Sequence, residues 1–344
     1  MNEGIQNVLV TGITGFLGSH VALQLLNRGY AVKGTMRDLR RKASILEVLK
    51  RNSADIKNLS FAEAHLTNRI DWARAMEGID YVMHIASPLP FDLVKDENDL
   101  IIPAREGTLN VLEAAQTHHV KRVVVTSSIA AIGYGHKIKD RIFTEDDWTD
   151  ITDEKDCSPY IKSKTIAEKA AWEFVNQENI DLEIAVINPG YILGPLLEKD
   201  YSDSAEVVKK ILAGKFPGLP RLSLPLVDVR DTASLHIMAM EHPQAAGHRF
   251  ICVNESYWIA EIAKILRNSL PDFSHKIKTR VLPDILVRFF SLFDREVRTI
   301  INNLGHYYQY DNTKAREMLG WRPRSNEEAI LTMADALIKF DLVK

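Results

Sequence analysis

Two cysteines in 344 residues, Cys157 and Cys252, allow at most one disulfide, so the chain lacks a cystine framework and suits a reducing compartment. Basic charge is not in excess. Forty-three Lys and Arg face 46 Asp and Glu for a net charge of −3, which argues against a chain built to neutralise many phosphates and so against nucleic acid as a partner. No uncharged run approaches the ~18 apolar residues of a membrane span, and Met1-Asn2-Glu3-Gly4 has neither the basic start nor the apolar stretch of a signal peptide. The expectation is a cytoplasmic protein with no membrane partner. The 11 histidines show no ligand spacing, so no metal is expected. Heptads, internal repeats and low-complexity tracts are missing too, which excludes coiled coils and solenoids. What remains is an ordinary globular balance, 46% hydrophobic and 26% charged, at a length for two folding units.

From Asn7 to about Ile187, short β-branched runs alternate with helical patterns, as the buried strands and covering helices of a doubly wound parallel α/β sheet require. The expected strands are Val8 to Thr11, Ala31 to Met36, Leu59 to Ala62, Tyr81 to Ile85, Arg122 to Thr126 and Glu183 to Ile187. A helix is expected over Gly15 to Asn27, where Phe16, Val21, Leu25 and Leu26 recur at helical spacing and Gly29 supplies a left-handed stop. After Asn188, Pro and Gly become frequent and the regular alternation ends, which reads as a smaller mixed α/β lobe over one edge of the sheet.

The first strand runs into Thr11-Gly12-Ile13-Thr14-Gly15-Phe16-Leu17-Gly18, a glycine-rich turn that opens a helix. Glycine is needed where the chain turns tightly and where backbone approaches a pyrophosphate seated on a helix N-terminus. The competing reading is three glycines that only allow close helix–strand packing. At the end of the second strand stand Arg37, Asp38, Arg40, Arg41 and Lys42. An acid there would accept from a ribose 2′-OH, whereas a guanidinium clamps a 2′-phosphate, so Arg37 favours NADPH over NADH, with Asp38 as the alternative contact. Tyr160 and Lys164 lie four apart at the head of a helix, which stacks them on one face; the ammonium beside the phenol favours phenolate and brings its acidity toward working pH. Thr126-Ser127-Ser128 ends the fifth strand, where a serine hydroxyl could hold a carbonyl oxygen as Tyr160 protonates it; Ser128 is preferred and Ser127 is the fallback.

These motifs, with His84-Ile85-Ala86-Ser87-Pro88 and Asn188-Pro189-Gly190 in order between and after them, resemble the extended short-chain dehydrogenases/reductases, and most of all the dihydroflavonol 4-reductase-like branch, which includes NADPH-dependent ketone, aldehyde and methylglyoxal reductases. Leu226 to Asp231 and Lys314 to Pro323 match family stretches as well, so the likeness covers nearly the whole chain. The resemblance implies a Rossmann-type dinucleotide-binding domain over residues 1–187, with later segments returning to it, and a mainly substrate-binding lobe over 188–344. It implies that Gly12, Gly15, Phe16 and Leu17 line the pyrophosphate, Arg37 and Arg41 hold the 2′-phosphate, and Ala86 and Ser87 pass over a ribose. Ser128, Tyr160 and Lys164 would be the catalytic triad, with Lys164 also reaching the ribose, and Pro189 and Ile192 would pack the nicotinamide. Two departures stand out. His65-Leu66 replaces the usual Asp-Leu facing the adenine, and Ile129 to Trp148 lacks the substrate-recognition stretch of the flavonoid reductases.

The reading is therefore a reductase of a small-molecule aldehyde or ketone, monomer or homodimer, with pocket walls expected from Ile129, Tyr134, Tyr191, Tyr201 and Leu226, all of which could equally be core. Its rivals are a nucleotide-sugar epimerase or dehydratase that retains NAD, and a non-catalytic NADP(H)-sensing regulator. Asp228 and Asp231 are expected to end a strand and cap a helix, His84 to be a satisfied core histidine, and Cys157 to be a packing residue.

Overall fold

The structure, a computed structural model, describes residues 5–88, 96–199 and 203–343. Its strands in chain order are β1 (Asn7–Val10), β2 (Ala31–Met36), β3 (Leu59–Glu63), β4 (Tyr81–His84), β5 (Arg122–Thr126), β6 (Ile142–Phe143), β7 (Glu183–Pro189), β8 (Tyr191–Leu193), β9 (Ser223–Asp228), β10 (Arg249–Cys252), β11 (Glu255–Trp258) and β12 (Gln309–Tyr310). The helices are α1 (Phe16–Asn27), α2 (Lys42–Arg51), α3 (Arg69–Ala75), α4 (Asn98–Thr117), α5 (Pro159–Val175), α6 (Asp203–Leu212), α7 (Val229–Glu241), α8 (Ile259–Ser269), α9 (Asp284–Phe290), α10 (Arg295–Ile300), α11 (Thr313–Leu319) and α12 (Asn326–Lys339).

Seven strands form one parallel sheet in the order β10-β7-β5-β4-β1-β2-β3, a Rossmann-like arrangement. Because both faces are covered, consecutive residues such as Val8, Leu9 and Val10 are all fully buried. Val21 and Leu25 of α1, Leu49 of α2, and Ala233 and Ile237 of α7 fill one face. Trp72 of α3, Val111 and Leu112 of α4, and Ala171 and Phe174 of α5 fill the other. A second core, with Val208, Leu226, Ile262 and Met333, joins α6, α8 and α12 to a small sheet of order β11-β9-β8.

The expected strands are present, within one or two residues at their ends, and α1 stops where Gly29 (φ +87°) closes the turn, its N–H donating to the Leu26 carbonyl. The late chain is more regular than its Pro and Gly content suggests: α7 leads into β10, which pairs with β7 as an edge strand of the main sheet. One buried guanidinium ties this return together. Arg122 on β5 donates to the carbonyls of Ala239, Met240 and His242 at the end of α7, and to Glu183 on β7 at 2.6 Å. The orphan carbonyls of a helix C-terminus and the positive charge suit one another.

Candidate active site

The strand order reverses between β1 and β4, and ligands of doubly wound sheets bind at the carboxyl ends beside such a point. There the glycine turn is resolved residue by residue. Gly12 has φ +67°, and a Cβ on it would come within 3.2 Å of Ala86, so it serves both the turn and the approach of the β4 loop. Gly15 stands at the N-cap of α1 with no side chain to occupy the first-turn N–H groups. Gly18 is a packing glycine: a Cβ there would sit 2.2 Å from the Gly12 carbonyl oxygen. The packing reading thus holds for Gly18. Gly18→Ala forces backbone apart in a packed turn, so a loss of about 1–3 kcal/mol in unfolding free energy is expected, with weakened dinucleotide binding. Urea unfolding and fluorescence titration check it, and a variant as stable as the parent would contradict the packing role.

Thr11 joins the two loops. Its hydroxyl accepts from the N–H groups of Ile85 and Ala86, both at 2.9 Å, which leaves its own proton for Nδ1 of His84 at 3.2 Å. That hydrogen-bond pattern assigns His84 the neutral tautomer with the proton on Nε2. Burial holds the His84 ring far below its usual pKa, at about 3, and the Lys164 ammonium adds to the effect. His84 is thus the buried core histidine expected.

At the end of β2, Arg37 is exposed, while Asp38 is engaged: Arg40 Nε donates to both its oxygens at 2.9 and 2.8 Å, and the Arg40 N–H is capped by it. Those bonds hold the Asp38 carboxyl down at about 2 and make it a turn cap. Arg41 reaches Thr14 in the glycine turn at 3.4 Å. Leu66 packs its side chain against Gly107, and its carbonyl accepts from Trp72 and Asn110. His65 is held by Asp71 at 3.3 Å.

Helix α5 begins with Ser158 capping the Ile161 N–H and Pro159 in its first turn. It places Lys164 Nζ 6.0 Å from the centre of the Tyr160 ring, with Lys164 only 8% exposed. Burial pulls the Lys164 ammonium down to about 8, and Glu168, one helical turn on, raises it. The two serines differ in kind. Ser127 is buried and donates to Glu168 at 2.5 Å, whereas Ser128 is half-buried, caps the following turn through Ala130 N–H and faces the Pro189 carbonyl at 3.5 Å. Pro189 is buried at the end of β7, and Ile192 on β8 is half-buried against the main core.

Of the expected walls, Ile129 and Leu226 are core residues, fixed by the packing of Phe143 and Ile251 in one case and of Leu224 and Ile259 in the other. Tyr134 and Tyr191 are half-buried, and Tyr201 lies outside the described residues. Cys157 is buried, with its thiol pushed up to about 11, as suits packing. Asp228 caps α7 as expected, but Asp231 lies inside α7 and accepts from the Arg324 N–H at 2.6 Å. No cluster of three or more His, Cys, Asp or Glu that could hold a metal is found among the described residues, and no described helix is long and apolar enough to cross a membrane. Sequence reasoning passed over Glu168 and Arg249. Glu168 lies four residues past Lys164 on the same face, an acid on an otherwise alanine-rich stripe, and that spacing was the available signal.

Residues 8–257 match the NAD dependent epimerase/dehydratase family, and the chain belongs to it. Within the extended short-chain dehydrogenases/reductases it falls in the dihydroflavonol 4-reductase-like branch. A cinnamoyl-CoA reductase of Medicago truncatula is 36% identical over 77% of this chain and 81% of its own. An anthocyanidin reductase of Vitis vinifera is 32% identical over 89% and 96%. Among solved structures, the yeast methylglyoxal/isovaleraldehyde reductase Gre2, complexed with NADPH, superposes with a TM-score of 0.82 at 27% identity, covering 98% of this chain and 99% of that one.

Proposed function

We propose that this chain is an NADPH-dependent reductase that reduces the carbonyl of an aldehyde or ketone, with Tyr160 as general acid. The observation that carries the reading is the meeting, at the carboxyl ends of the strands, of a glycine turn with no side chains at Gly12 and Gly15 and the Tyr160–Lys164 face of α5, which Glu168 on the same helix ties to Ser127 and Asn188 at the ends of β5 and β7. The turn fits a dinucleotide: Gly12 and Gly15 keep the helix N-terminus clear, and Arg37 and Arg41 stand beyond β2 for a 2′-phosphate, with Asp38 already taken up by Arg40. Phe16, Leu17, Leu66, Ala86 and Ser87 would complete the cradle, with Pro189 and Ile192 against the nicotinamide. Residues 1–187 with α7 and β10 would form the cofactor domain, and the rest of 188–344 the substrate lobe.

Bound NADPH supplies the hydride and the redox chemistry. Ser128 would hold the substrate oxygen and Tyr160 would give it a proton from its phenol. Lys164, charged below about pH 8, stabilises the phenolate that remains. The name of the family includes epimerases, which retain NAD and prefer an acid at the end of β2; Arg37 and the engaged Asp38 disfavour that chemistry here.

Initial rates of NADPH and NADH oxidation across α-ketoaldehydes, diketones, aryl aldehydes and bulky aryl ketones test the reading. Turnover with NADPH is expected, and Arg37→Ala should raise KM for NADPH by about 10- to 100-fold, the worth of a charge-assisted hydrogen bond or two, with little change for NADH. Silence with both cofactors and NAD retained in the purified protein would shift the assignment to the epimerase chemistry.

A further inference from the structure

Behind the Tyr160–Lys164 face lies a buried polar cluster that the proposed chemistry does not use. The Glu168 carboxylate is 1% exposed and receives four donors from different parts of the fold. Arg249 on β10 donates from Nε at 2.5 Å, Ser127 at the end of β5 at 2.5 Å, Asn188 on β7 at 2.8 Å, and Trp172 on α5 itself at 3.3 Å. Asn188 extends the cluster by donating to the Ser128 carbonyl at 3.2 Å. Arg249 is buried as well; it stacks 3.8 Å from the centre of the Trp148 ring and donates to the carbonyls of Glu145 and Asp147. A carboxylate so deeply buried is costly unless paired and saturated with hydrogen bonds, and here it is both.

We propose that Glu168 is a positioning residue for the reaction: its carboxylate fixes the strand ends that carry Ser128 and Pro189 and supplies the negative charge that keeps the Lys164 ammonium in place beside Tyr160. The inference rests on the roles proposed for Tyr160 and Lys164. Geometry assigns the first task, since Ser127 precedes Ser128, Asn188 precedes Pro189, and both bind the one carboxylate. The helix assigns the second, since residues four apart share a face, so Glu168 follows Lys164 as Lys164 follows Tyr160. Desolvation opposes charge on Lys164, and Glu168 is the group that counters it.

The other charged groups around this face are accounted for by their own contacts. His84 on β4 is neutral near pH 7, and Cys157 before α5 remains a thiol. Asp156 is paired with Lys139 at 2.6 Å, and Glu97 at the start of α4 with Lys162 at 2.7 Å. With Gln in place of Glu168 the counter-charge to Lys164 is gone and desolvation acts unopposed on the ammonium; its proton is lost more readily, and Tyr160, without the positive charge beside it, holds its own proton more tightly.

The test is the ionisation of Tyr160 in the protein without cofactor, read as the ultraviolet tyrosinate signal lost on Tyr160→Phe and compared in the parent and Glu168→Gln backgrounds. Glu168→Gln should move that midpoint up by about one pH unit, as loss of an adjacent positive charge does. It should also lower kcat about 10-fold at pH 7 with KM nearly unchanged. A midpoint unmoved in a Glu168→Gln protein that merely melts earlier overturns the proposal, leaving Glu168 a packing group. Glu168→Asp keeps the charge and serves if the Gln variant does not fold. It should hold the midpoint near the parent value while losing rate through displaced strand ends, and a midpoint shifted by a unit with the charge retained also overturns the proposal. If Tyr160→Phe retains full turnover, the proposed role of Tyr160 fails instead, and that result is separate from the midpoint in the unloaded protein.

Discussion

Replacing Tyr160 with Phe is expected to cut kcat for carbonyl reduction by on the order of 10³-fold, the range in which a positioned general acid contributes. The ring stays: Tyr160 packs with Ala130, Cys157 and Ile161, and Phe keeps those contacts. Melting temperature should therefore change little, and NADPH should bind as before, because the groups expected to hold its phosphates lie on the glycine turn and beyond β2. Stopped-flow rates, a thermal melt and fluorescence titration of NADPH separate these outcomes. Loss of kcat with cofactor affinity and stability intact assigns the proton step to the phenol. Retained turnover would remove Tyr160 from the mechanism, whatever the substrate. Lysine 164 sharpens the expectation: an ammonium that burial leaves titrating at about 8 is charged through most of the neutral range, so the parent enzyme should lose rate as pH rises through that value. Tyr160→Phe should show no such limb in its residual rate.

The contrast between Ser127 and Ser128 shows where the sequence was legible and where it stopped. Spacing along one strand or helix is local, so the strands, the glycine turn and the Tyr160–Lys164 face could be read directly from the order of residues. The glycines carried two readings, and only contact across the turn separates Gly12 from Gly18. Ser128 over Ser127 is a preference of the sequence, and the buried contact of Ser127 with Glu168 gives the other hydroxyl a structural task. Ile129 and Leu226 could be read as pocket walls or as core, because apolar residues near a site look the same in sequence as apolar residues behind it; their burial places them in the core. β10 and Arg249 were missed for a related reason. Their partners are 63 residues or more away along the chain, and the edge pairing of β10 with β7 leaves no local period.

Stability should fall steeply below pH 6.5, and three buried histidines set the slope. His20, His84 and His236 are held by burial at about 4, 3 and 4, against 6.5 for an exposed ring. Each has contacts suited to the neutral form: His20 Nε2 meets the Pro195 carbonyl at 2.9 Å, His84 Nδ1 accepts from Thr11, and His236 lies between Thr126 and the Thr232 carbonyl at 2.7 Å each. The folded pKa lies below the unfolded one, so between the two values the unfolded chain binds more protons, and stability drops as pH falls. Above about 6.5 the three contribute no slope; by pH 5 each has cost roughly 2 kcal/mol, and together roughly 6, by proton linkage. Against a typical total of about 5–15 kcal/mol, that is enough to bring unfolding into the range of pH 4 to 5. Glu145 and Asp231, whose carboxyls burial raises, work the other way and soften the fall, while Asp147, held low by Arg141 and the Thr144 N–H despite its burial, steepens it at the acid end. Urea unfolding at pH 7, 6, 5.5 and 5 measures the slope directly. His84→Asn keeps an acceptor for the Thr11 hydroxyl and removes one titrating ring, so it should reduce the slope near pH 5 by about a third. A free energy flat from pH 7 to 5 would mean that these rings gain protons inside the fold, through opening of the β1–β4 loops or of the packing around α7.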